Sequence, residues 1–163
     1  MIRAKEAGEA ARQIDDICRD VPVDKVIWQG DRPEVPREYA VGITGASALI
    51  AATGSVILEL VSASDGHPSL LVDRHIVVAW QGQMLPDLPT FYQRLSDRCD
   101  GGDELPIQVC ITGCSRTADI EKVLVVPAHG PRQVRVILCE APVDWGALKK
   151  GASTHPAIDH RQN

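Results

Sequence analysis

The sequence has no apolar run long enough to cross a bilayer: runs such as residues 76–80 and 123–126 fall well short of the ~20 residues a spanning helix needs. It is also short of positive charge. With 17 Lys and Arg against 22 Asp and Glu, a formal net charge of -5 gives no general attraction to phosphate backbones or anionic membrane surfaces. Nucleic acid is therefore not an expected partner. Residues 1–20 lack the apolar segment of a secretory signal, so the expected compartment is the cytoplasm. The cysteines, Cys18, Cys99, Cys110, Cys114 and Cys139, are odd in number and irregular in spacing, which suits free thiols in a reducing compartment better than a disulfide framework.

Metal and redox motifs are missing too. There is no CxxC pair, no HExxH and no run of closely spaced cysteines, so neither zinc nor an iron–sulfur cluster is expected on this chain. No flavin or nicotinamide motif stands out. Internal repeats and low-complexity tracts are absent as well. What remains is an ordinary globular balance, 44% hydrophobic and 24% charged over 163 residues, the size of a single domain.

The patterning divides the chain into a lead-in at residues 1–39, a core at 40–140 and an extended or partly disordered tail at 141–163. Apolar positions three and four apart predict a helix over residues 4–18, and a short apolar run at 25–28 predicts a strand before a proline-rich loop. In the core, residues 40–44 read as a strand or turn, 46–52 as a short helix and 55–61 as a strand. Residues 75–80, β-branched and nearly continuous in apolar character, are the best candidate for a buried strand. A helix at 86–98, a strand at 106–112, a helix at 115–124 and a strand at 133–138 follow. Strands alternating with helices predict an α/β fold with a mostly parallel sheet covered by helices on both faces. The strands at 56–61, 75–80, 107–111 and 134–138 are expected to share that sheet.

Chemistry concentrates in Ile111-Thr-Gly-Cys-Ser-Arg-Thr-Ala-Asp-Ile-Glu121, which joins a strand to the start of a helix. Such a junction at the carboxyl edge of a parallel sheet can hold an anion on helix N-terminal amides. Gly113 would let the backbone approach a ligand, Thr112, Ser115 and Thr117 offer hydroxyls, and Arg116 is a forked cation suited to carboxylate or phosphate. The same residues also serve as helix caps, with Asp119 and Glu121 complementing the macrodipole of a first turn. His129, in Ala128-His-Gly-Pro131, is oriented by a tight turn and titrates near neutral pH, so it is a candidate acid or base, or simply a turn residue. Gly42-Ile-Thr-Gly-Ala-Ser47 and Thr53-Gly-Ser55 form a third hydroxyl and glycine cluster, which also reads as caps and turns. Cys114 would act as a nucleophile only with a base beside it.

The 111–121 block, followed by Leu124-Val-Val-Pro-Ala-His-Gly-Pro131 and the strand at 134–138, resembles the C-terminal signature of the LUD-domain family, the lactate utilization protein C (LutC/YkgG-like) group. Val41-Gly-Ile-Thr44, Ile50-Ala-Ala-Thr-Gly-Ser55 and His75-Ile-Val-Val78 resemble its earlier blocks in the same order. The resemblance implies a NagB/RpiA/CoA-transferase-like fold. It also implies a part in oxidising L-lactate to pyruvate, with iron–sulfur clusters in partner subunits and no cofactor on this chain. Carried over by position, Asp119, Glu121 and His129 are the candidate catalytic residues. Thr44, Thr53, Gly54, Thr112, Gly113, Ser115, Arg116, Thr117 and Gly130 are the candidate ligand-binding residues. Cys114 stands where the family usually has proline, Pro127 where it has glycine and Ala52 where glutamate is common, so a role resting on that glutamate does not transfer. Fold alone leaves three roles open: a binding subunit of a lactate-oxidising complex, a free-standing transferase or isomerase acting on a carboxylate, acyl-CoA or sugar phosphate, and a non-catalytic regulatory protein.

Overall fold

A computed structural model describes residues 1–31, 38–62, 66–102, 104–114 and 130–152. Five strands form a parallel sheet in the order β1 (Ile2–Ala4), β9 (Gln133–Cys139), β6 (Arg74–Trp80), β3 (Val41–Gly45) and β2 (Val26–Trp28). A second sheet of four strands runs β7 (Met84–Leu85), β4 (Ala48–Ile50), β5 (Ser55–Leu60) and β8 (Ile107–Ile111). Within it β4 and β7 are parallel, whereas β5 is antiparallel to both β4 and β8.

The layers follow from alternation along β6. Ile76 and Val78 pack on one face of the parallel sheet with Ala10, Ala11, Ile14 and Ile17 of α1 (Ala7–Cys18) and Leu148 of α4 (Trp145–Ala152). Val77 and Ala79 point the other way, onto Leu49, Val56, Leu58 and Leu60 of the second sheet. Because both faces are covered, β6 reads as a continuous apolar run instead of an alternating one. The outer side of the second sheet carries Ala48, Ile50 and Ile57 against Phe91 of α3 (Leu88–Asp100). The architecture is α/β with a mostly parallel sheet, and helices close the sheet stack on both sides.

Four expectations need correction. First, the strands at 56–61 and 107–111 do not share a sheet with those at 75–80 and 134–138. β5 pairs with β4 and β8, while β6 pairs with β3 and β9, since periodicity identifies a strand without naming its neighbours. Second, residues 46–52 are not a helix: Ala48–Ile50 is a strand in a hairpin with β5, closed by Gly54 N–H donating to the Ile50 carbonyl at 2.8 Å. Leu49 is buried between the sheets and Ala48 and Ile50 beneath α3, and so short a run buried on both sides carries no helical or strand period. Third, the tail is not extended throughout, because residues 145–152 form α4. Asp144 Oδ1 accepts from Ala147 N–H at 2.6 Å at its start, and Gly151 lies against Ala11 of α1. Fourth, Ala4, expected to begin the first helix, instead ends β1 (Ile2–Ala4), in register with Cys139, and α1 begins at Ala7. The predicted helix at 115–124 lies outside the described residues.

The short helix α2 (His67–Leu70) crosses β3 at Gly42. A Cβ at Gly42 would stand 1.8 Å from the Pro68 carbonyl oxygen, so only glycine admits this crossing.

Candidate functional site

The described part of the site loop begins where β8 ends. Thr112 and Gly113 are exposed, and Gly113 has φ 103°, a left-handed conformation that a side chain would strain. Cys114 Sγ donates to the Arg132 carbonyl at 3.1 Å, and Arg132 N–H donates to the Asp73 carbonyl at 2.8 Å. Residues 112–114 therefore sit beside the amino ends of β9 and β6, not at the carboxyl edge of the parallel sheet, where sequence reasoning puts them. The reason is the second sheet: β8 runs antiparallel to β5, and its own carboxyl end meets the opposite edge of the parallel sheet. Gly130, with φ 76°, opens the approach to β9 on the same side, near the Leu70 carbonyl.

Three hydroxyls are joined in a line. Thr53 Oγ1 and Ser55 Oγ are 2.7 Å apart, and Ser55 Oγ and Thr112 Oγ1 are 2.7 Å apart. Ser55 is buried and both threonines are exposed. The hairpin β4–β5 supplies the first two and the end of β8 the third. A hydroxyl donates once and accepts twice, so the line fixes the Thr112 oxygen in place while leaving it capacity toward a ligand. Gly54, between Thr53 and Ser55, has φ 68°.

Thr44 belongs to a different group. It is fully buried on β3, with Oγ1 2.8 Å from Nε2 of His75 on β6. The Nδ1 of His75 is buried with no hydrogen-bond partner among the described residues. Burial pushes the imidazole down to about 4, so at neutral pH it is uncharged and cannot pair with an anion as a cation. Sequence reasoning missed His75, although a polar residue at the head of the most apolar strand was the available signal.

A cleft of about 450 Å³ opens elsewhere, between α1, β2 and α4, lined in part by Ile14, Cys18, Val26, Trp28, Ile43 and Lys149. Ile43 and Thr44 alternate across β3, so Thr44 faces away from it. Lys149 bonds the Asp31 carboxylate and stands 6.0 Å from the Trp28 ring centroid. Burial, then the charge of Asp15, push the Cys18 thiol up to about 11, which makes it a neutral wall and not a nucleophile. Although a cleft of this size suits a small ligand, none of the family-like site residues among the described residues lines it. Ser115, Arg116, Thr117, Asp119, Glu121 and His129 lie outside the described residues, and the structure brings Thr53 and Thr112 together through Ser55 while setting Thr44 with His75.

Residues 36–139 match the LUD domain family. Over 116 residues the chain is 32% identical to Lactate utilization protein C of Exiguobacterium sp., covering 68% of this chain and 50% of that protein. It is also 32% identical over 119 residues to Lactate utilization protein C of Halalkalibacterium halodurans, covering 70% and 52%. The chain thus spans about half the length of these curated relatives. Its fold is similar to the crystal structure of a DUF162 family protein from Deinococcus radiodurans, with a TM-score of 0.52 at 19% identity, covering 85% of this chain and 87% of that one.

Proposed function

The chain belongs to the LUD-domain family, and on that premise we propose that it serves lactate utilisation as a binding subunit of a complex that oxidises L-lactate to pyruvate. Its own task is to hold an anionic small metabolite. The reading places it in the cytoplasm, on a NagB/RpiA/CoA-transferase-like fold, with iron–sulfur clusters in partner subunits. The sequence carries no flavin, nicotinamide or cluster motif, which supports leaving the electrons to those partners.

The observation that carries the binding role is the hydroxyl line Thr53–Ser55–Thr112, which ends on an exposed threonine beside Gly113. Next in sequence come Ser115, Arg116 and Thr117, the guanidinium and hydroxyls suited to a carboxylate. Asp119, Glu121 and His129 follow as the proton-handling candidates of the same segment.

Arg116 is the test. Arg116→Ala weakens binding of lactate or pyruvate about ten- to a hundredfold, the loss of one charge-assisted contact, with melting unchanged. Arg116→Lys recovers part of it, since lysine keeps the charge but loses the fork. Calorimetric titration of lactate, pyruvate, phosphate and CoA against all three proteins reads this out. Equal affinities in all three would dismiss the role of Arg116, and tight binding of CoA alone would favour a free-standing transferase.

A further inference from the structure

We propose that the cleft between α1, β2 and α4 binds an aliphatic monocarboxylate longer than lactate, with its carboxylate on Lys149 and its alkyl chain directed toward Cys18. The site is separate from the hydroxyl line and does not rest on the role given to that segment. Its volume, about 450 Å³, is more than lactate would fill and lies in the range of small-molecule sites.

The two ends of the cleft differ, and the direction of β2 tells them apart. Val26 and Trp28 are two residues apart on the strand, so both side chains point to the same face, into the cleft. Past Trp28, at the carboxyl end, the chain turns back: Asp31 Oδ2 accepts from Trp28 N–H at 3.0 Å, and Asp31 Oδ1 accepts from the Lys149 ammonium. Both carboxylate oxygens are thereby engaged. Lys149 also stands 6.0 Å from the Trp28 ring centroid, and that ring meets Trp145 edge-on at 78°, so the ammonium is held from two sides. An ammonium has three donors. Among the described residues Asp31 takes one of them, and the Lys149 side chain is only 43% exposed. Asp15 and Lys150 also line the cleft but have interactions of their own, which makes Lys149 the donor for a ligand.

At the other end β2 begins and α1 stops. Cys18 and Val21 close the cleft there, joined by Val21 N–H donating to the Cys18 carbonyl at 2.8 Å. Ile14, one turn earlier on α1, continues the same apolar wall toward Ile43. Burial, and then Asp15, keep the Cys18 thiol neutral, and Arg74, whose charge also reaches this thiol, is bonded to both oxygens of Asp20. One end therefore offers an oriented, partly desolvated cation and the other a neutral apolar wall. Such a pair of ends selects an anionic head over a neutral or cationic one, and each methylene laid between Val26 and Ile14 adds affinity that lactate cannot gain.

Octanoate is the probe, titrated into the full chain by calorimetry with tryptophan emission followed in parallel, because Trp28 lines the site. It should bind with a dissociation constant below about 1 mM, and butyrate at least about tenfold more weakly. In the same protein 1-octanol, which keeps the chain and lacks the charge, and octylamine, which reverses it, should each bind at least about tenfold more weakly than octanoate. Lys149→Met keeps an apolar side chain of similar length and should bring octanoate to the level of octanol, whereas Lys149→Arg should retain binding. An octanoate dissociation constant above about 1 mM overturns the proposal. Octanol binding as tightly as octanoate to the wild-type chain overturns it too, a comparison that holds even where Lys149→Met fails to fold. Octanoate binding unchanged in a folded Lys149→Met, or displaced by an equal concentration of lactate, overturns it equally.

Discussion

At the scale of single residues, His75 is the most informative. It is fully buried between the sheets, bonded to Thr44 through one nitrogen and unpartnered at the other among the described residues. Burial lowers it from its ordinary 6.5 to about 4, so the folded protein resists a proton that the unfolded chain accepts. The stability contributed by the neutral imidazole is complete above pH 6.5 and is lost as pH falls toward 4. His75→Phe, which binds no proton, should flatten the melting temperature across that window, whereas the wild type should decline. An identical decline in both would show that His75 does not govern acid sensitivity. Asp20 acts in the same direction at lower pH. Hydrogen bonds from Arg74, at 2.6 and 2.7 Å, hold its carboxyl down at about 2, so this contribution is present above pH 3.8 and disappears as pH falls through 2.

At the scale of elements, the crossing of α2 over β3 depends on Gly42. Gly42→Ala forces its new methyl group into the Pro68 carbonyl and should destabilise the fold by about 1–3 kcal/mol or more, as overpacking does. Chemical denaturation measures it, and an unchanged midpoint would mean that α2 moves freely away. The elements also show what a sequence can and cannot display. α1, α3 and β6 were readable because their apolar character is long and regular; the cap on α3, Asp87 accepting from Thr90 N–H at 2.9 Å, emerges only from the structure. β4 was not readable, because three residues buried on both sides carry no period. α4 was hidden by its two glycines, Gly146 and Gly151, and is held by burial of Leu148 against α1 and not by propensity. Pairing was less legible than existence: nothing local in residues 55–60 says that their neighbours are antiparallel. The site suffered from the same gap. Thr53 and Thr112 were named separately from motifs, but Ser55 as the link between them, and the position of the loop at the amino ends of β6 and β9, depend on the sheet order.

At the scale of the whole molecule, the cleft by Trp28 and Lys149 stands apart from the hydroxyl line among the described residues. The proposed lactate role rests on family membership and on the hydroxyl line, so its decisive test is made in the cell, where the partner subunits of the proposed complex would be present. The gene is deleted in the source organism, and growth is compared on L-lactate and on pyruvate as sole carbon source. The account predicts that growth on L-lactate is lost, growth on pyruvate is kept, and the gene supplied in trans restores the former. Undiminished growth of the deletion strain on L-lactate would contradict it.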